Sequence, residues 1–167
     1  FKQKTAYEIM PSLVGSEMCI RDRFNIPYAI TYFYNVYGPR EIRDGEYATI
    51  VAKFTKLMKE RKPLTVVSPG TQERNFTHIY DVIDALILVG KDAIGDGFGI
   101  GNRQTYSILE LAKLFGGEIE MIPERAGNRM TADLITQSTE DLGWKPTLNL
   151  ETYIADLREK DWDISEV

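Results

Sequence analysis

The chain of 167 residues is 43% hydrophobic and 27% charged, with a formal net charge of −5, a balance typical of folded domains that excludes disordered, collagen-like and strongly basic nucleic-acid-binding chains. One cysteine, Cys19, and one histidine, His78, exclude an internal disulfide framework and a Cys/His zinc cluster. No apolar run approaches the roughly 18 residues of a membrane span, so the chain reads as soluble and cytoplasmic, with neither a membrane nor a nucleic acid as partner.

Residues 1–23 have no apolar core and no sustained period. They back-translate, in one frame, into the bodies of two sequencing-library adaptors, Lys2 to Ile9 and Leu13 to Arg23, separated by a gap of the length of a sample index. This segment is expected to be an artefact of that origin and must be set aside before fold reasoning. Native sequence is expected to begin near Phe24, which makes 24–167 the unit to interpret.

Within that unit, residues 27–33, PYAITYF, form a short apolar run that predicts a strand buried on both faces. Residues 35–46 are turn-rich, with Gly38, Pro39 and Gly45. Ile50, Val51, Phe54, Leu57 and Met58 recur at helical spacing before Lys59, Arg61, Lys62 and the terminating Pro63. A strand over 64–67 and a turn at Ser68-Pro69-Gly70 follow, then an extended stretch at 75–79. Asp81 is placed to cap a helix with an apolar face of Val82, Ala85, Leu86 and Val89. Ser107 and Glu110 form a capping box ahead of Leu111 and Leu114. A strand at 118–122 and helices at 136–142 and 150–160, the last capped by Asn149, complete an α/β alternation.

Four groups of residues could carry chemistry. Asn35 leaves the first strand, where open α/β sheets bind their ligands. Its amide suits a phosphate or sugar hydroxyl, and equally suits loop backbone. Arg74 and Arg125 sit on separate loops and offer planar forks that match a diphosphate, although surface arginines are common. Of the aromatic residues Tyr32, Phe33, Tyr34 and Tyr37, Phe33 is assigned to the core, while Tyr34 fits core or pocket. His78 reads as structural, having no second ligand or nucleophile beside it in sequence. The run GDGFGIG at 95–101 lacks the 1-3-6 glycine spacing of a dinucleotide loop and predicts instead a closely packed turn and strand.

YNVYGPRE at 34–41, KPLTVVSPGTQERNFTHIYD at 62–81, IPERAGNR at 122–129 and DLGWKP at 141–146 together resemble the C-terminal half of extended short-chain dehydrogenase/reductases, above all NAD-dependent nucleotide-sugar epimerases and dehydratases of the UDP-glucose 4-epimerase type. The resemblance covers about 24–160. It implies the end of a Rossmann-like parallel sheet plus a small α/β substrate-binding domain. It implies further that Asn35, Arg74 and Arg125 grip a nucleotide diphosphate, that Thr65 and Val67 touch the base, and that Asn128 faces the ribose. Tyr34 and Val36 would lie beside the nicotinamide of NAD. Tyr32, Ser68-Pro69 and Asn75 depart from the usual Arg, Gly-Asp and Asp, which leaves the sugar open.

In such enzymes a Tyr-x-x-x-Lys pair manages the sugar hydroxyl proton, the lysine lowering the tyrosine pKa. None of the nine tyrosines here has lysine four residues later. The expectation is therefore the nucleotide-sugar-binding part of an epimerase/dehydratase, inactive alone, with no catalytic residue of its own, most of the NAD site upstream, and a homodimeric parent. A self-standing, non-catalytic nucleotide-sugar-binding module is the alternative.

Overall fold

The computed structural model describes residues 23–45, 47–124 and 133–163. In chain order it shows β1 (Ala29–Phe33), β2 (Val36–Tyr37), α1 (Ile50–Lys59), β3 (Leu64–Val67), β4 (Glu73–Asn75), β5 (Thr77–His78), α2 (Ile79–Asp92), β6 (Gly95–Ile100), β7 (Thr105–Ser107), α3 (Ile108–Phe115), β8 (Ile119–Ile122), α4 (Gln137–Asp141) and α5 (Leu150–Glu159). The strands pair as β1·β6, β2·β5 and β3·β8, all parallel, and β4·β7, antiparallel. The α/β class read from sequence is the class observed.

Two packed clusters organise these elements. The larger joins α1, β3, α3 and α5 through Phe54, Leu64, Val66, Leu111, Phe115 and Leu157, all buried. Alternation along β3 sends Leu64 and Val66 into this cluster and turns Thr65 and Val67 the other way. The smaller cluster joins α2, β6 and the 142–146 turn through Val82, Ala85, Ile100 and Trp144. Amphipathic spacing explains both, since each helix presents apolar residues at three- and four-residue intervals to its neighbour.

The helix starts follow side-chain capping. Thr49 Oγ1 accepts from Ala52 N at the start of α1 (3.2 Å), and Asn149 Oδ1 from Glu151 N at the start of α5 (2.7 Å). At α3, Ser107 Oγ accepts from Glu110 N (3.1 Å) while Glu110 Oε2 accepts from Ser107 N (2.8 Å), closing the anticipated capping box.

Two local expectations are corrected. Helix α2 begins two residues before Asp81, and its cap is His78, whose Nδ1 accepts from Tyr80 N at 3.2 Å. Asp81 is buried within the first turn and reaches across to the C-terminal segment. Its Oδ1 accepts from Thr147 N (3.0 Å) and Thr147 Oγ1 (2.9 Å), and its Oδ2 from Leu148 N (3.0 Å). The indole of Trp144 donates to Asp81 O at 2.9 Å, so the DLGWKP motif is clasped to α2. Strand β1 is not buried on both faces: Ile30, Tyr32 and Phe33 are 41%, 44% and 53% exposed. Among the described residues β1 has one strand neighbour, β6, and no layer covers its other side. Phe33, assigned to the core, is therefore at the surface.

Candidate functional site

The parallel strands β1 and β3 end at a depression made of two neighbouring pockets that share lining residues, as expected for ligand sites of open α/β sheets. Its larger part has a volume of about 730 Å³ and is walled by Tyr32, Phe33, Tyr34, Asn35, Arg74 and Asp133. The smaller, about 320 Å³, lies over β3 and the start of α1, between Thr49, Thr65, Val67, Gln72, Asn35 and Arg74. Asn35 and Arg74 belong to both.

Asn35 adopts a positive φ of 39°, a conformation asparagine tolerates better than most side chains. One hydrogen of its Nδ2 goes to Asn75 O at 2.9 Å, and its carbonyl accepts from Thr77 N at 3.4 Å. These bonds show the amide and backbone of Asn35 bracing the loop, the structural one of its two anticipated roles. Asn75 continues the brace, donating from Nδ2 to Asn102 O at 2.9 Å. A carboxylate at this position would have no hydrogen to give to Asn102 O. Arg74 is half-buried and donates from Nη1 to Glu73 O at 2.7 Å, and it lines both parts.

Tyr34 forms the floor of the larger part. Its hydroxyl accepts from Ile135 N at 3.1 Å, and its ring lies over the glycine run. A Cβ on Gly101 would stand 2.8 Å from Tyr34 Cδ2, and one on Gly99 1.7 Å from Ile135 O. The glycines therefore admit the protein's own backbone and ring, not a phosphate, in keeping with the close packing read from sequence. Tyr32 donates to Asp96 Oδ1 at 2.8 Å, and this bond to a carboxylate raises its phenol pKa.

Val36 is half-buried and packs on the Val82–Trp144 cluster instead of lining either part. Arg125 and Asn128 lie outside the described residues. His78 behaves as a structural residue: it caps α2, packs edge-on against Tyr37 with centroids 5.2 Å apart, and has its pKa lowered by burial. Thr49, Gln72 and Asp133 were not anticipated. Thr49 had a local signal, a hydroxyl directly before a helical run, whereas Gln72 and Asp133 are brought in only by tertiary packing.

The family model for the NAD dependent epimerase/dehydratase family matches residues 10–101. The chain belongs to that family. The match starts inside the adaptor-like segment and runs through β6. This epimerase/dehydratase chain is 33% identical over 142 residues to a dTDP-L-rhamnose 4-epimerase of Burkholderia thailandensis, covering 79% of the chain and 39% of that relative. It is 32% identical over 135 residues to UDP-glucuronic acid decarboxylase 2 of Arabidopsis thaliana, covering 75% and 29%. Among solved structures it is similar to a UDP-glucose 4-epimerase of Thermotoga maritima with UDP-glucose (TM-score 0.77, 25% identity, 88% of this chain and 52% of that one). It is also similar to a UDP-glucuronic acid 4-epimerase of Bacillus cereus with UDP-glucuronic acid and NAD (TM-score 0.72, 28% identity, 92% and 51%). The chain thus spans about two-fifths or less of the length of these curated relatives and about half of the structural neighbours.

Proposed function

We propose that this chain is the nucleotide-sugar-binding part of an NAD-dependent enzyme that acts on a nucleotide diphosphate sugar, in the manner of a UDP-glucose 4-epimerase. The observation that carries the reading is the sharing of Asn35 and Arg74 between the two parts of the depression. A nucleotide diphosphate sugar has its anionic diphosphate in the middle and a flat base and a sugar at its ends. A guanidinium and an amide at the junction match the middle. Thr65 and Val67 on β3 offer a wall for the base, and Arg125 and Asn128 are assigned to diphosphate and ribose on the strength of the motif they occupy. The larger part, with Tyr34 and Phe33, receives the sugar and the nicotinamide ring.

For NAD the fit is partial. Tyr34 and Phe33 supply aromatic surface suited to a flat ring, whereas the spaces at Gly99 and Gly101 are filled by Tyr34 and by Leu134 and Ile135, leaving no glycine cradle there for the cofactor diphosphate. NAD when bound would accept and return a hydride. What this chain contributes is binding and orientation of the substrate. No tyrosine has lysine four residues on, so the chain by itself is expected to bind without turning over. Epimerisation, dehydration and decarboxylation share this binding step.

Calorimetry with UDP-glucose tests the reading directly. The chain should bind UDP-glucose and not glucose 1-phosphate, and Arg74→Ala should weaken binding by about 1.5–3 kcal/mol, the worth of a charge-assisted bond. No binding, or an affinity unchanged by Arg74→Ala, would return Arg74 to an ordinary surface charge.

A further inference from the structure

Glu41, a half-buried carboxylate, is hydrogen-bonded to a residue that lines the smaller part of the depression. Thr49 lines that part and caps α1. Its hydroxyl accepts from Ala52 N at 3.2 Å and donates its hydrogen to Glu41 Oε2 at 2.5 Å. Thr49 N donates to Ile42 O at 3.1 Å, so the segment after Glu41 folds back over the start of α1. Glu41 Oε1 is buried with no hydrogen-bonding partner among the described residues.

The groups facing Glu41 come from three elements. The Thr49 hydroxyl lies at the start of α1, and the Arg43 guanidinium on the same loop; both favour the carboxylate. From α5, Tyr153 is close enough for its own ionisation to be disfavoured by the Glu41 charge, after burial. Tyr37 and His78 pack around Tyr153, with centroids 5.2 and 5.5 Å away. Tyr37 and Tyr153 are raised well above the usual tyrosine range by burial and stay neutral. Burial outweighs the favourable groups, and Glu41 is pushed up to about 7. Burial moves His78, the only histidine, the opposite way.

An ionised carboxylate can only accept, so it must take the Thr49 hydrogen. A protonated carboxyl can donate to the second lone pair of Thr49 Oγ1, the first being held by Ala52 N. We propose that Glu41 is a positioning residue that sets the direction of the Thr49 hydroxyl: ionised, it withdraws the Thr49 hydrogen from the nucleotide cleft, and protonated, it returns that hydrogen to face a ligand acceptor. One proton is gained by Glu41 and none is lost elsewhere. The inference rests on the nucleotide-sugar reading of the cleft and adds its regulation: substrate is held more tightly on the acid side of neutrality.

The test is binding of UDP-glucose, whose diphosphate diester does not titrate near neutrality, to the chain and to two variants between about pH 6 and 8. The unsubstituted chain should lose affinity roughly three- to tenfold across that range, the worth of one hydrogen bond. Glu41→Gln, whose amide does not titrate in this range, should bind with a flat profile. Thr49→Val should be flat and weak. Carboxyl and methyl NMR of the unsubstituted chain supplies a ligand-free readout, in which Glu41 and the Thr49 methyl should titrate with one midpoint near 7. A pH dependence retained in Glu41→Gln, a flat profile in the unsubstituted chain, or separate titrations of Glu41 and Thr49 would overturn the proposal. If UDP-glucose fails to bind at any pH while the two groups titrate together, the nucleotide-sugar reading falls and takes the ligand half of the proposal with it.

Discussion

Single side chains in this molecule do work that their positions in sequence do not advertise. Asp81 looks like a helix cap and is instead a three-bond clasp on Thr147 and Leu148. Replacing it with alanine removes the buried partner of three donors on the exposed 147–148 segment and should cost about 2–3 kcal/mol, read as a lower urea midpoint; a loss under about 0.5 kcal/mol would mean the clasp is not structural. Glu41 gives a second, pH-dependent effect. Its folded-state pKa of about 7 lies above its ordinary 4.5, so the folded chain holds this proton more tightly than the unfolded one. The stabilisation is complete below the ordinary value and is lost as pH rises through the folded value, on the order of 2–3 kcal/mol in all. Glu41→Gln should remove that decline, visible as a Tm difference between variant and parent that grows from acid to neutral pH. Gly99→Ala drives a Cβ to 1.7 Å from Ile135 O and should destabilise by about 2–3 kcal/mol while disturbing the Tyr34 floor of the cleft.

At the level of elements, the segments that carried their own start and stop signals were the ones legible in the sequence. Ser107 with Glu110, and Asn149 before Leu150, marked α3 and α5 because the capping groups are local. Ser107→Ala should lower stability by about 1 kcal/mol, measured by chemical denaturation, and Ser107→Thr should restore most of it. Strand β3 was legible from its four-residue apolar run between Pro63 and the Ser68 turn. The burial of β1 was not, because an apolar run reports a preference for burial and says nothing about whether a neighbouring layer is there to provide it. The same distinction holds in the site. The exit of β1 pointed to Asn35, and the four motifs pointed to Arg74, Thr65 and Val67, all of which line the depression. Val36 shares a motif with Asn35 but packs on the Trp144 cluster, a contact made by tertiary packing and invisible to motif matching. Gln72 and Asp133 enter through the packing of separate loops.

The molecule as a whole leaves unusual apolar surface in water. Helix α2 buries Val82, Ala85 and Val89 on one side and exposes Tyr80, Ile83, Leu86 and Ile87 on the other. Ile30 and Phe33 on β1 add to this surface. Such a stripe, together with a strand edge that is unpaired among the described residues, favours association. The chain should self-associate with rising concentration in sedimentation velocity, and the double substitution Ile83→Glu and Ile87→Glu should suppress it; a monomer that is unaffected by these changes would show the stripe to be inert.

The sharing of Asn35 and Arg74 between the two parts of the depression also limits how such a protein can diversify. On the proposed nucleotide-sugar reading, a change at either residue touches both pockets together, so a new sugar is hard to admit there with the base left as it was. Novelty has to enter through side chains that belong to one part only: Thr65, Val67 and Gln72 on one side, Tyr32, Phe33 and Asp133 on the other. The junction is the fixed grammar of the site, and its two flanks are the words that can be exchanged.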